Sequence, residues 1–229
     1  MELQHYTYAG LLFLVLIVPL VLSFDKNVHF YTRWKYLFPA IIVTGAVFIL
    51  WDIKFTEAGI WSFNPKYTTG LDFKGLPVEE WLFFLVIPYA CLFIYETLKF
   101  YLPKFEYNNV FAAISLALIV LFAALSYFHR TQLYTFFNFL FAAIYLGYTI
   151  FRNRFKQHLT KFYGMYLVSL IPFLIINGVL TSLPIVEYNP AHILGIHVFT
   201  IPVEDFGYLF LLLLMNTTIY ELLKTQKYF

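Results

Sequence analysis

Seven stretches of this chain are long and apolar enough to cross a bilayer, and they leave one broad class of fold open. A spanning helix needs about 20 mostly apolar residues, in a range of roughly 17–25. Within hydrocarbon the backbone must satisfy its own hydrogen bonds, which a helix does inside a single segment. The stretches are 6–24, 36–52, 78–102, 110–128, 133–151, 162–180 and 203–223. Only 12% of residues are charged and 61% are hydrophobic, whereas a soluble domain carries charge on about a quarter of its residues. The predicted class is an all-α membrane protein with seven transmembrane helices.

The first stretch has no basic segment before it and no A-x-A-like site after it, so it is expected to be a retained helix rather than a cleaved signal peptide. The second is the shortest, and Trp34, Tyr36 and Trp51 at its ends suit interface anchors. Basic residues predict the orientation. The loops after the first, third and fifth stretches, with the C-terminal tail, hold Lys26, Arg33, Lys35, Lys99, Lys104, Arg152, Arg154, Lys156, Lys161, Lys224 and Lys227, against Lys54, Lys66, Lys74 and Arg130 on the other side. The bias predicts an outside N-terminus and a cytoplasmic C-terminus, and the expected location is a bacterial-type cytoplasmic membrane that the chain crosses several times. These short basic clusters do not form a nucleic-acid patch. Cys91 is the chain's one cysteine, which rules out an intrachain disulfide or a cysteine metal cluster and leaves a small apolar filler.

An internal repeat is the second constraint. Residues 48–99 align with residues 173–224 without a gap, at a constant offset of 125. Asn64-Pro65 falls on Asn189-Pro190, Gly70 on Gly195, Ile94-Tyr95-Glu96 on Ile219-Tyr220-Glu221 and Leu98-Lys99 on Leu223-Lys224. Pro77-Val78-Glu79-Glu80 falls on Pro202-Val203-Glu204-Asp205. Shared apolar composition does not explain matches at Pro, Asn, Gly and Glu. The expected organisation is a first three-helix repeat over 1–105, a connecting helix 4 over 106–130 and a second repeat over 131–229. The copies begin four helices apart, so they are expected to be parallel, related by a pseudo-two-fold axis along the membrane normal. Both acidic motifs then lie at the extracytoplasmic face.

Glu79, Glu80, Glu204 and Asp205 are the first candidates for chemistry. Proline at a helix start and acids in the first turn are favoured on local grounds alone. Tandem acids repeated at the mouth of an apolar bundle ask for more, because intramembrane acids are costly. Neighbouring helical residues point about 100° apart, so one acid of each pair faces the bundle while the other orients it or faces the headgroups. Asp52 and Asn177 occupy equivalent positions at the ends of helices 2 and 6, where they bond the acids or cap their own helices. Glu96 and Glu221 are expected to form i,i+3 ion pairs with Lys99 and Lys224.

The loops that carry Asn64 and Asn189 favour turns and form either a structured extramembrane turn or a lid over the acids. Asp72 and His197 align, and a lone histidine there is expected to be a surface or hydrogen-bonded group. Of the many aromatics, Trp51, Trp61 and Trp81 flank the first acid motif and present ring faces able to stabilise a cation. The chain has no Gly-rich dinucleotide fingerprint, P-loop, HExxH or paired-carboxylate metal motif. No lysine sits in the core of helix 7, which excludes a retinal Schiff base. Neither a cofactor nor a metal is expected.

Trp61-Ser62-Phe63-Asn64-Pro65 through Gly70 to Leu76-Pro77-Val78-Glu79-Glu80-Trp81, with Tyr95-Glu96, resembles the first half of the membrane-integral lycopene cyclase family. Tyr188-Asn189-Pro190 through Gly195-Ile196-His197 to Ile201-Pro202-Val203-Glu204-Asp205, with Tyr220-Glu221, resembles the second half. In that family the halves occur as two subunits, as one fused chain or joined to a phytoene synthase, and this chain resembles the fused form without the synthase. The resemblance implies cyclisation of the linear ends of lycopene to β-ionone rings, an isomerisation giving γ-carotene and β-carotene. It places Glu79, Glu80, Glu204 and Asp205 in the active site. Phe206-Gly207 departs from the first copy's Trp81-Leu82 and points to unequal roles for the two motifs. Alternatives are a cyclase for a longer carotenoid making ε- or γ-type rings, and a non-catalytic carotenoid-binding subunit. The expected partners are lycopene and the lipid bilayer, with no nucleic acid. The proton donor, the oligomeric state, contacts with other carotenoid-pathway enzymes and any need for a reduced flavin are left open.

Overall fold

The computed structural model describes residues 3–152 and 155–225, so Arg154 and Lys227 of the charge comparison lie outside the described residues. Among the described residues, seven helices are long and apolar enough to cross a membrane. They are α1 (Thr7–Leu22), α2 (Trp34–Glu57), α3 (Val78–Tyr101), α4 (Asn108–Phe128), α5 (Leu133–Phe151), α6 (Leu159–Ser182) and α7 (Val203–Thr225). The chain is therefore an integral, multi-pass, all-α membrane protein. α3 and α7 form the centre, with Leu92, Tyr95, Leu212, Leu213, Leu214 and Tyr220 buried along them. α1 and α4 are peripheral and expose Phe13, Leu14, Val120 and Leu121, the all-round apolar character of a helix that meets lipid.

α2 runs five residues past the expected end at Asp52, and Gly59 explains where it stops. Gly59 takes φ 66°, the left-handed conformation glycine adopts without a Cβ penalty. Ile60 N–H then donates to Phe55 O at 2.9 Å and Gly59 N–H to Thr56 O at 3.0 Å, the two closing bonds of a Schellman end. α6 likewise continues to Ser182. Asp52 and Asn177 thus lie more than a turn inside their helices and are not end caps.

Six short strands occur in the two loops at the acidic ends: β1 (Trp61–Phe63), β2 (Asp72–Phe73) and β3 (Leu76–Pro77) after α2, then β4 (Val186–Tyr188), β5 (His197–Val198) and β6 (Ile201–Pro202) after α6. β1 pairs antiparallel with β4, in the register Trp61–Tyr188, Ser62–Glu187 and Phe63–Val186. Asn64 N–H donates to Ile185 O and Asn189 N–H to Ile60 O, each at 2.9 Å, so the loops clasp each other reciprocally. β2–β3 and β5–β6 are local hairpins. Lys74 and Gly75 both take positive φ in the first of them, as a two-residue type I′ turn demands. These loops have the structured form expected of extramembrane turns.

α3 and α7 run in the same direction. Their first turns meet beneath the β1–β4 sheet, and their last turns meet in a buried cluster of charges. There Lys99 bonds Glu221 at 2.7 Å and Lys224 bonds Glu96 at 2.8 Å. The expected i,i+3 pairs within each helix are longer, at 3.7 and 3.6 Å, because each lysine reaches across to the neighbouring helix. Tyr220 adds its hydroxyl to Glu96, at 2.8 Å.

Candidate active site

Each of the two Pro-Val-Glu-acidic motifs begins a helix by tying it to its own loop. Val78 N–H donates to Leu71 O and Val203 N–H to Ile196 O, at 2.8 and 3.0 Å. Glu79 Oε1 accepts the Thr69 N–H at 2.7 Å, and Glu204 Oε1 accepts the Leu194 N–H at 2.7 Å. Both glutamates are fully buried. The first acid of each pair thus latches its helix to its own loop through a backbone N–H. Glu204 is further held by α5, through Thr135 Oγ1 at 2.6 Å.

One residue and about 100° further on, Glu80 and Asp205 turn inward and line a single cleft. The outer acids do not face the headgroups: Glu79 and Glu204 are buried against their own loops. Glu80 accepts the Tyr8 hydroxyl at 2.6 Å. Asp205 accepts Tyr134 at 2.8 Å on Oδ1, with Tyr188 at 2.8 Å and Asn177 Nδ2 at 3.1 Å on Oδ2. Tyr208 donates to Asp52 Oδ1 at 2.6 Å. Asp52 and Glu80, both buried, line the same cleft. Burial, then the charge of Asp205, push the Tyr188 hydroxyl well above the usual phenol range, so it remains a donor.

Among the other sequence candidates, Asp52, Asn177 and Trp61 line the same cleft. Trp51 stands behind it, edge-on to Tyr208 with ring centroids 5.2 Å apart. Trp81 points away and bonds Phe73 O at 3.3 Å. Asn64 and Asn189 cap the short turns that follow them, accepting Lys66 N–H and Ala191 N–H at 3.1 Å. His197 is exposed and bonds Gly195 O within its own turn.

Four tyrosines of the site were missed by sequence reasoning. Tyr8 and Tyr134 are each the second residue of a helix, α1 and α5, and each serves the inner acid of its own half. Their separation is one residue more than the repeat offset, which hid the match. Tyr188 and Tyr208 align with Phe63 and Phe83, so the second half supplies hydroxyls where the first supplies bare rings. A scan for tyrosines within two turns of the acid-bearing end of a span finds Tyr8, Tyr134 and Tyr208, together with Tyr6 and Tyr127, which do not line the cleft.

Gly207 accounts for the other departure between the copies. A Cβ there would lie 2.9 Å from Asn138 Nδ2 and 2.9 Å from Phe139 Cε1. α5 thus packs tightly enough on α7 for Asn138 to donate to the Glu204 carbonyl.

The remaining walls are Phe63, Phe83, Phe173, Leu180, Val186, Leu209 and Leu212, with Tyr134 stacked on Tyr188 at 5.8 Å. The described residues contain no group of three or more His, Cys, Asp or Glu able to hold a metal. Chemically, the cleft offers two carboxyl systems, neutral hydroxyl donors and aromatic faces in an apolar setting. The model of the family described as lycopene cyclase matches residues 5–98 and 131–223. No curated protein and no solved structure matches the chain.

Proposed function

The chain belongs to the lycopene cyclase family and is a carotenoid cyclase, and from that premise we propose that it closes the linear ends of lycopene into β-ionone rings, giving γ-carotene and then β-carotene. The observation that carries the reading is the meeting of Glu80 and Asp205, one from each matched segment, in one aromatic-walled cleft. We read residues 1–105 and 131–229 as two halves of one catalytic unit, and the two motifs as one composite site.

The proposed reaction adds one proton and removes one, so the formula of the substrate is unchanged and no redox partner is consumed. Glu80, buried in the same cleft wall as a second carboxyl, Asp52, is the proposed acid. It protonates the terminal double bond of the linear end and leaves a tertiary cation. The neighbouring double bond attacks that cation and closes the ring. Asp205 is the proposed base: three neutral donors aimed at its oxygens suit a group that carries charge, and it removes the ring proton that fixes the double bond. Trp61, Tyr134, Tyr188 and Tyr208 present ring faces and edges around the site, and aromatic faces stabilise a transient cation. The clasped loops exclude water that would trap it.

Expression in a lycopene-accumulating bacterium followed by pigment chromatography tests the reading. The expected products are γ-carotene and β-carotene. Unchanged lycopene beside well-expressed protein would overturn it. ε-Type rings would overturn the β assignment and retain the cyclase.

A further inference from the structure

A second, narrow apolar hollow adjoins the acid cleft. Phe83, Phe173, Asn177 and Leu209 line both spaces. From there the hollow follows α3 past Ile87, Ala90, Cys91 and Ile94, the i, i+3, i+4, i+7 stripe of one helical face. The facing wall on α6 repeats that spacing with Ser169, Pro172, Phe173 and Ile176. Two such stripes normally interlock as core. Here the side chains at the centre are small, with Cys91 facing Ser169, and space is left between them. On the outer side Pro172 is exposed, between Ile171 and Ile175, which also face outward. The hollow therefore reaches the lipid-facing surface.

We propose that this hollow is a polyene-binding tract that holds the conjugated chain of a long acyclic carotenoid while its linear end occupies the acid cleft, and that it loads sideways from the bilayer beside Pro172. The inference rests on the cyclase reading and adds to it where the substrate lies. Continuity with the acid cleft selects the occupant. A ligand that reaches the acids by this route is apolar along its length and has its reactive group at one end. Phe83 and Ile94 are eleven residues apart on α3, about 16 Å at 1.5 Å per residue. Lycopene is about as long as the hydrocarbon core is thick, roughly 30 Å, so the tract takes one end and about half of the chain. The other end stays in lipid, and the two rings are made in separate binding events.

Cys91 is the chain's single cysteine and lines the tract, which provides a readout independent of turnover. The full-length protein in phosphatidylcholine vesicles is treated with a small uncharged maleimide, with lycopene or with squalane at equal mole fraction. Lycopene should slow Cys91 modification by about fivefold when most of the protein is occupied, and squalane should not. In cells, Ala90→Phe should cut ring formation by about tenfold or more at wild-type protein level, as misplacement of a reacting end does. Where Ala90→Phe fails to accumulate, the labelling arm decides alone. Equal labelling rates with and without lycopene would overturn the tract. Ring formation by the wild-type protein in the same vesicles is scored separately. Protection without rings keeps the tract and overturns the cyclase reading, and rings without protection do the reverse.

Discussion

Glu80 and Asp205 face one cleft from the first turns of two neighbouring helices, at the same position of two motifs 125 residues apart. Their environments differ. Glu80 takes one tyrosine hydroxyl, while Asp205 takes two tyrosine hydroxyls and an amide. Equal sequence motifs thus become chemically unequal groups through the aromatic residues that each half brings to them.

The outer acids respond to substitution in another way. Glu79→Gln keeps an oxygen to accept the Thr69 N–H and should retain most activity. Glu79→Ala leaves that N–H without its partner, which costs about 1–3 kcal/mol and should free the loop. The check is thermal unfolding in detergent beside pigment formation per unit of protein. Loss of activity in Glu79→Gln as complete as in Glu80→Gln would show that Glu79 does chemistry rather than latching.

Gly207→Leu restores the residue of the first copy and should not be tolerated. Its Cβ alone would lie 2.9 Å from Asn138 and Phe139, and overpacking of this kind costs about 1–3 kcal/mol. Detergent-solubilised protein should melt earlier than wild type. An unchanged melting temperature would mean that α5 can move off α7 freely.

At the far end of α3 and α7, Lys99→Met leaves Glu221 with a weakened set of partners in a buried position. Removing one member of such a pair destabilises by up to about 3–5 kcal/mol when fully buried, and the partial exposure of Lys99 reduces this to about 1–3 kcal/mol. Exchange of charge, Lys99→Glu with Glu221→Lys, should recover part of the loss, measured as a coupling energy in a double-mutant cycle. Additive effects would show that Lys99 pairs chiefly within its own helix.

Much of this architecture is legible in the sequence because bilayer thickness fixes helix length. The ends of α3, α4, α5 and α7 fall within about two residues of the apolar stretches. α2 runs further because Lys54 and Glu57, polar but helical, follow the apolar run and the stop signal is Gly59. The β1–β4 sheet is invisible in sequence, since strands of three residues carry no periodicity. The composite cleft was foreshadowed by the repeat, but which acid of each pair turns inward depends on helix rotation, and spacing alone gives only the 100° between them. Tyr188 and Tyr208 escaped notice because their equivalents are Phe63 and Phe83, where an alignment of halves records only one aromatic for another.

The central claim is that Glu80 and Asp205 serve one reaction at one site. Its most direct test is pigment chromatography of Glu80→Gln and Asp205→Asn variants in a lycopene-accumulating host, at matched protein level. Loss of a general acid or base costs about 10²–10⁴-fold in rate, so both variants should leave lycopene almost unconverted, with no build-up of a one-ring product. If either variant instead converts lycopene fully to γ-carotene and stops there, each acid closes its own ring and the single composite site is wrong.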